Sequence, residues 1–120
     1  MQIFIKGNVP SSKNSRQWTG KYLIMSKTCQ KYIKYSKDEW FENYSKFQEM
    51  IKGKEKPYKI GFYFIRDSRR AFDYINALQL PLDLMQDFAW IDDDNMENVI
   101  PIILGYEVDK ENTGVRIEVL

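Results

Sequence analysis

Short apolar runs and two helical repeats divide the chain. Gln2-Ile3-Phe4-Ile5-Lys6, ended by Gly7, and Tyr22-Leu23-Ile24-Met25 are rich in β-branched and aromatic residues and predict strands, with the polar loop Pro10–Arg16 between them. Ser26 is placed to cap a helix in which Ile33, Trp40, Tyr44, Phe47 and Ile51 recur at helical spacing until Gly53. Beyond Pro57, Lys59–Ile65 predicts a strand that delivers the chain to Arg66-Asp67-Ser68-Arg69-Arg70. From Phe72 the period is helical again. Ile75, Leu78, Leu82 and Met85 share one face, and Asp73, Asn76, Gln79, Asp83 and Asp87 share the other. Pro81 cannot donate to Ala77, which leaves one bent helix or two short ones. Val99–Leu104, Tyr106–Val108, the turn Asp109–Gly114 and the closing run Val115–Leu120 predict a terminal β-hairpin.

The elements predict an α+β fold: a single domain over residues 1–120, with a small mixed β-sheet packed by two main helices. A chain of 120 residues has room for one core. With 43% hydrophobic residues it carries enough apolar surface to fold, so disorder is excluded. Met1 is followed by no long apolar segment, and no run approaches the roughly 18 apolar residues of a membrane span, so a soluble, cytoplasmic protein without a membrane partner is expected.

Two absences narrow the chemistry. Cys29 is the only cysteine, which rules out an internal disulfide and a thiolate metal site. Histidine is missing altogether, so histidine bases and imidazole zinc sites are excluded and oxygen ligands for hard cations remain.

The net charge of +1 hides an uneven division. Residues 1–60 hold 13 Lys/Arg against 5 Asp/Glu, a net +8, and residues 61–120 hold 5 against 12, a net −7. Either the halves complement each other within one fold, or a basic surface holds phosphates beside an acidic pocket. Lys27, Lys31, Lys34 and Lys37 fit a solvated helix face as readily as a DNA contact.

The acidic residues gather in two places, Arg69-Arg70-Ala71-Phe72-Asp73-Tyr74-Ile75-Asn76 and Ile91-Asp92-Asp93-Asp94-Asn95. Carboxylates repel one another, so a fold that collects them commonly holds a cation there. The second run also fits an exposed turn or a helix N-terminus. It does not fit a calcium loop, because Glu97 stands where that loop needs glycine and Ile103 where it needs a bidentate Glu.

Residues 66–95 resemble the RusA-type crossover junction endodeoxyribonucleases, small prophage-encoded Holliday junction resolvases. That family has an arginine-rich lead into Asp-x-Asp-Asn, a lysine three residues on, an Asp on the ensuing helix, and an Asp-Asp pair after an apolar turn. Asp73-Tyr74-Ile75-Asn76 takes the first place here, Asp83 the helix position and Asp93-Asp94 the final pair. The Pro10-Ser11-Ser12-Lys13-Asn14 loop and the Asp109-Lys110-Glu111-Asn112 segment are similar to flanking features of the family.

The resemblance implies a Mg²⁺-dependent (or Mn²⁺-dependent) endonuclease of branched DNA, with the four-way junction as substrate, acting as a homodimer in recombination and repair. It places Asp73, Asp83, Asp93 and Asp94 in the catalytic site, with Asp73, Asp83 and Asp94 as metal ligands. Lys13, Arg16, Arg69 and Arg70 are the candidate phosphate contacts, and Trp18 a candidate for stacking on a base or for the core. Asn76 and Gln79 complete the motif.

Two positions depart from it. Ile75 stands where the family has its second carboxylate, and Gln79, which cannot carry positive charge, where it has its lysine. On the helical wheel Ile75 falls on the apolar face, so Asp83 is the candidate replacement ligand and Arg69 or Arg70 the replacement cation. A shifted alignment puts Asp73 at the second carboxylate and Ala71 at the first. The alternatives are a junction-binding relative with weak or no catalysis, and an interaction domain whose acidic clusters are only solvated.

Overall fold

The computed structural model describes residues 1–11, the backbone of 16–18 and 23–25, and residues 26–120. Among them are β1 (Gln2–Lys6), β2 (Arg16–Trp18), β3 (Leu23–Met25), α1 (Lys27–Glu42), α2 (Tyr44–Ile51), β4 (Tyr58–Arg66), α3 (Tyr74–Asp87), β5 (Val99–Val108) and β6 (Gly114–Val119). This is a small α+β fold. β2 and β3 form a separate antiparallel ribbon, and the main sheet has the order β1-β6-β4-β5. It is mixed, because β5 runs parallel to β4 while β6 is antiparallel to both β1 and β4.

Register explains the core. Ile3 pairs with Ile117, which pairs with Phe62; Ile5 pairs with Val115, which pairs with Phe64. These two rows are buried, and with Trp40, Phe47, Leu84, Met85 and Trp90 they belong to one apolar cluster. The helices α1 and α2 contribute by packing on β1 and β6 respectively, and α1 also meets α3.

Three expectations need correction. The helix expected from Ser26 to Gly53 breaks at Asn43, giving three helices among the described residues instead of two main ones. The Asn43 amide donates to the Glu39 carbonyl at 2.8 Å, as does its own backbone N–H at 3.0 Å. A short amide side chain thus competes for a helical acceptor and ends the helix.

The terminal hairpin does not form. β5 and β6 are separated by β4, and the chain crosses the end of β4, where the Asp109 N–H donates to the Arg66 carbonyl at 3.0 Å. Asp109 holds this crossing by accepting from Glu111 N at 3.2 Å and Asn112 Nδ2 at 2.9 Å. Gly114 then fits the slot beside β1, where a Cβ would stand 2.6 Å from the Ile5 carbonyl oxygen.

Finally, Ile75 is 72% exposed. The buried face of α3 consists of Ala77, Leu78, Leu80, Pro81, Leu84 and Met85, and Pro81 sits inside one uninterrupted helix. The apolar stripe is therefore rotated away from Ile75, which lies in line with the exposed Gln79 and the half-buried Asp83 at four-residue spacing.

Candidate functional site

The N-terminal end of α3 is set by aromatic packing. Phe72 and Tyr74 flank Asp73, and both join a cluster with Phe64 and Tyr106, with ring centroids 5.1–6.4 Å apart. Asp73 is extended between them (φ −105°, ψ 121°), so its side chain points opposite to its neighbours and into solvent. Its carbonyl receives the Ala77 N–H at 3.0 Å, yet its carboxylate makes no capping bond. Asp73 thus presents an exposed acid with no local structural task.

Beside it lies an open cleft of about 890 Å³, lined by Asn8, Pro10, Ser11, Ser26, Thr28, Arg66, Asp67, Ser68, Arg70, Ala71 and Lys110. The crossing of the chain over β4 is what brings Lys110 to Arg66 and Arg70. Arg66 is buried and committed: it donates to the Val9 carbonyl and to Ser11 Oγ (3.2 Å), and its guanidinium lies 4.5 Å over the Phe72 ring. Burial lowers its pKa from the ordinary arginine value, with Asp67 acting the other way. Arg66 therefore fixes the floor and rim of the cleft. Arg70 and Lys110 are exposed, and among the described residues neither side chain has an ion-pair partner. Arg69 is exposed but does not line the cleft. The side chains of Lys13, Arg16 and Trp18 lie outside the described residues.

The second acidic run is largely occupied with its own loop. Asp92 is paired with Lys56 Nζ at 2.8 Å; this hydrogen bond and charge hold its carboxyl below the usual carboxylate range and raise the Lys56 pKa in turn. Asp93 accepts from the Asp94 N–H at 2.7 Å and from Asn95 Nδ2 at 3.2 Å. Asn95 Oδ1 accepts from Glu97 N at 3.1 Å and Asn98 Nδ2 at 2.8 Å. Within this run, the exposed Asp94 carboxylate is the one with no hydrogen bond to another described residue.

The two acidic clusters stand at opposite ends of the molecule. Asp73 is held beside Phe64 and Tyr106, whereas Asp92 pairs with Lys56 next to the Tyr58–Val99 end of β4 and β5. The 14 residues of α3 run between them, about 20 Å at 1.5 Å per residue. Asp73 and Asp83 are themselves ten positions apart on that axis, about 15 Å. A Mg²⁺ ion draws its ligand oxygens to about 2.1 Å, so neither Asp73 with Asp94 nor Asp73 with Asp83 of the same chain fits a shared ion. Consistent with that geometry, no group of three acidic or cysteine side chains suited to a metal occurs among the described residues. Asn76 and Asp83 are half-buried and Gln79 exposed, all on α3.

Sequence reasoning passed over Lys110 as a site residue, and Arg66 as the anchor of the cleft. The available signal was the uninterrupted apolar character of both Ile60–Ile65 and Val99–Leu104, which suits neighbouring parallel strands and would have moved the Asp109–Asn112 turn to the Arg66 end. Neither protein-family models nor curated proteins give a match to this chain.

Proposed function

We propose that this protein is a RusA-type endonuclease of branched DNA, dependent on Mg²⁺ or Mn²⁺ and acting as a homodimer. The carrying observation is the ordered series Arg69-Arg70, Asp73, Asn76, Asp83, Asp93-Asp94, whose first acid is exposed beside a cationic cleft. Distance is what supports the dimer in this reading. Two acids at opposite ends of α3 act on one phosphodiester only when a second copy, related by a two-fold axis with its α3 antiparallel, sets its Asp94 against Asp73 of the first. A junction cut symmetrically needs two such sites, and this arrangement supplies two.

One observation favours the binding relative without turnover. Ile75 and Gln79 occupy the exposed row of α3, so the positions that differ from the family pattern face solvent and would face DNA.

A gel shift on four-way junction DNA in EDTA, followed by addition of Mg²⁺, tests both. Binding and then paired cuts are expected; binding without cuts supports the relative, and no binding removes the reading. Asp73→Asn and Asp94→Asn should each abolish cleavage. Mixed together they should regain single nicks, because one of the two sites in the mixed dimer then carries both acids. A mixture as inactive as its components would remove the shared site.

A further inference from the structure

We propose that Arg70 and Lys110 form a two-cation clamp for the sugar-phosphate backbone of DNA, within the cleft at the end of β4. This rests on the branched-DNA reading and names the part of the protein that holds the strand. Three observations meet there. Among the described residues the cleft is polar, lined by the hydroxyl residues Ser11, Ser26, Thr28 and Ser68 and the amide of Asn8, with no aromatic side chain in that lining. Apolar pockets that take small organic ligands are built the other way.

Its charge is positive. Among the described lining residues, Arg66, Arg70 and Lys110 face a single acid, Asp67, giving +2 at neutral pH. Arg66 is already spent on Val9 and Ser11, which leaves Arg70 and Lys110 as the exposed cations. The two come from segments 40 residues apart, joined only because the chain crosses the end of β4 there. The wall also includes Ser26 and Thr28 at the start of the 16-residue α1, whose dipole adds positive potential.

Two exposed cations among hydroxyl groups recognise phosphates and sugars, so the contribution of Arg70 and Lys110 is independent of base sequence. It also supplies the positive charge that Gln79 does not. Asp67 is the one opposing group, and its removal should strengthen binding.

The test is the salt dependence of binding to a fluorescent four-way junction in EDTA, measured by anisotropy for the parent, Arg70→Ala, Lys110→Ala, the double variant and Asp67→Asn, with Lys54→Ala, an exposed residue off the cleft, as the control. Each single alanine should lower the slope of log K against log salt by about 0.9, the double by about twice that, and equally on two junctions of unrelated sequence. Asp67→Asn should bind more tightly, and Lys54→Ala should keep the parent slope. Unchanged slopes for Arg70→Ala and Lys110→Ala, with the parent still binding, overturn the clamp and leave the branched-DNA reading standing. A parent that binds no DNA at any salt concentration overturns both. Equal loss of affinity at all salt concentrations, with unchanged slope, identifies a structural role and also overturns the clamp.

Discussion

The indole N–H of Trp90 donates to the backbone carbonyl of Trp40 at 2.9 Å, and the two rings lie 5.1 Å apart. Trp40 stands in the last turn of α1, where carbonyls run out of helical N–H partners. A side chain 50 residues away therefore closes the helix end, and the stack of Trp90 on Phe47, with centroids 5.1 Å apart, holds it in place.

Trp90→Phe retains most of the ring burial but leaves the Trp40 carbonyl without this donor. The expected loss is about 1–3 kcal/mol, the range for a buried acceptor deprived of its partner, read as a lower urea midpoint with unchanged slope. A midpoint equal to the parent's would show that water or another donor takes over.

The Lys56–Asp92 pair makes a signed pH prediction. The Asp92 carboxyl is depressed in the folded state, so its contribution is present at neutral pH and is lost as pH falls through that depressed value. Lys56→Met should raise the Asp92 titration midpoint toward the usual carboxylate range, seen in the side-chain carboxyl carbon shift by NMR. Because both side chains are solvent-exposed, 1 M salt should move the parent in the same direction.

Ile75→Asp with Gln79→Lys should leave the melting temperature nearly unchanged, since both positions are exposed and such substitutions usually fall within about 0.5 kcal/mol. If the protein is a weakened nuclease, the double variant should turn over junction DNA faster than the parent in Mg²⁺. A slower or equal rate would assign these two positions to something other than catalysis.

The strands β1 and β4 and the helices α1 and α3 were legible because each is bounded by a local signal: Gly7, Pro57, the Ser26 cap, or the apolar repeat of Leu78 and Met85. Sheet order was not. The turn at Asp109–Gly114 reads as a hairpin locally, and only the non-local fit of Gly114 beside Ile5 directs β6 past β4. Ile75 misled for a similar reason: apolar character suggested burial, while the packed arc of the helix is defined by Ala77, Leu80, Pro81 and Leu84. Asp73 and Asp94 were legible as unusual acids. Their separation was legible too, in principle, because an unbroken helix between two clusters sets the distance by its own length.

Gly114→Ala tests the slot that determines the order. The added methyl would stand 2.3 Å from the Phe4 ring and 2.6 Å from the Ile5 oxygen, and the backbone contact cannot be relieved by a rotamer change. Destabilisation of about 1–3 kcal/mol is expected from overpacking, measured as a lower melting temperature. Gly53→Ala, which meets no atom within 4 Å but has φ 78°, separates the cost of left-handed backbone from that of collision.

The insertion of β6 between β1 and β4 also dictates when the protein can fold. Lys6 pairs with Gly114, 108 positions later, so a ribosome adding about 5–20 residues per second releases β1 roughly 5–20 seconds before its partner exists. From their synthesis until then, Ile3 and Ile5 on one side, and Ile60, Phe62 and Phe64 on the other, lack the β6 residues they pair with. Assembly of the full sheet therefore waits for residues 114–119, and a nascent chain stalled before them leaves the facing edges of β1 and β4 without their partner.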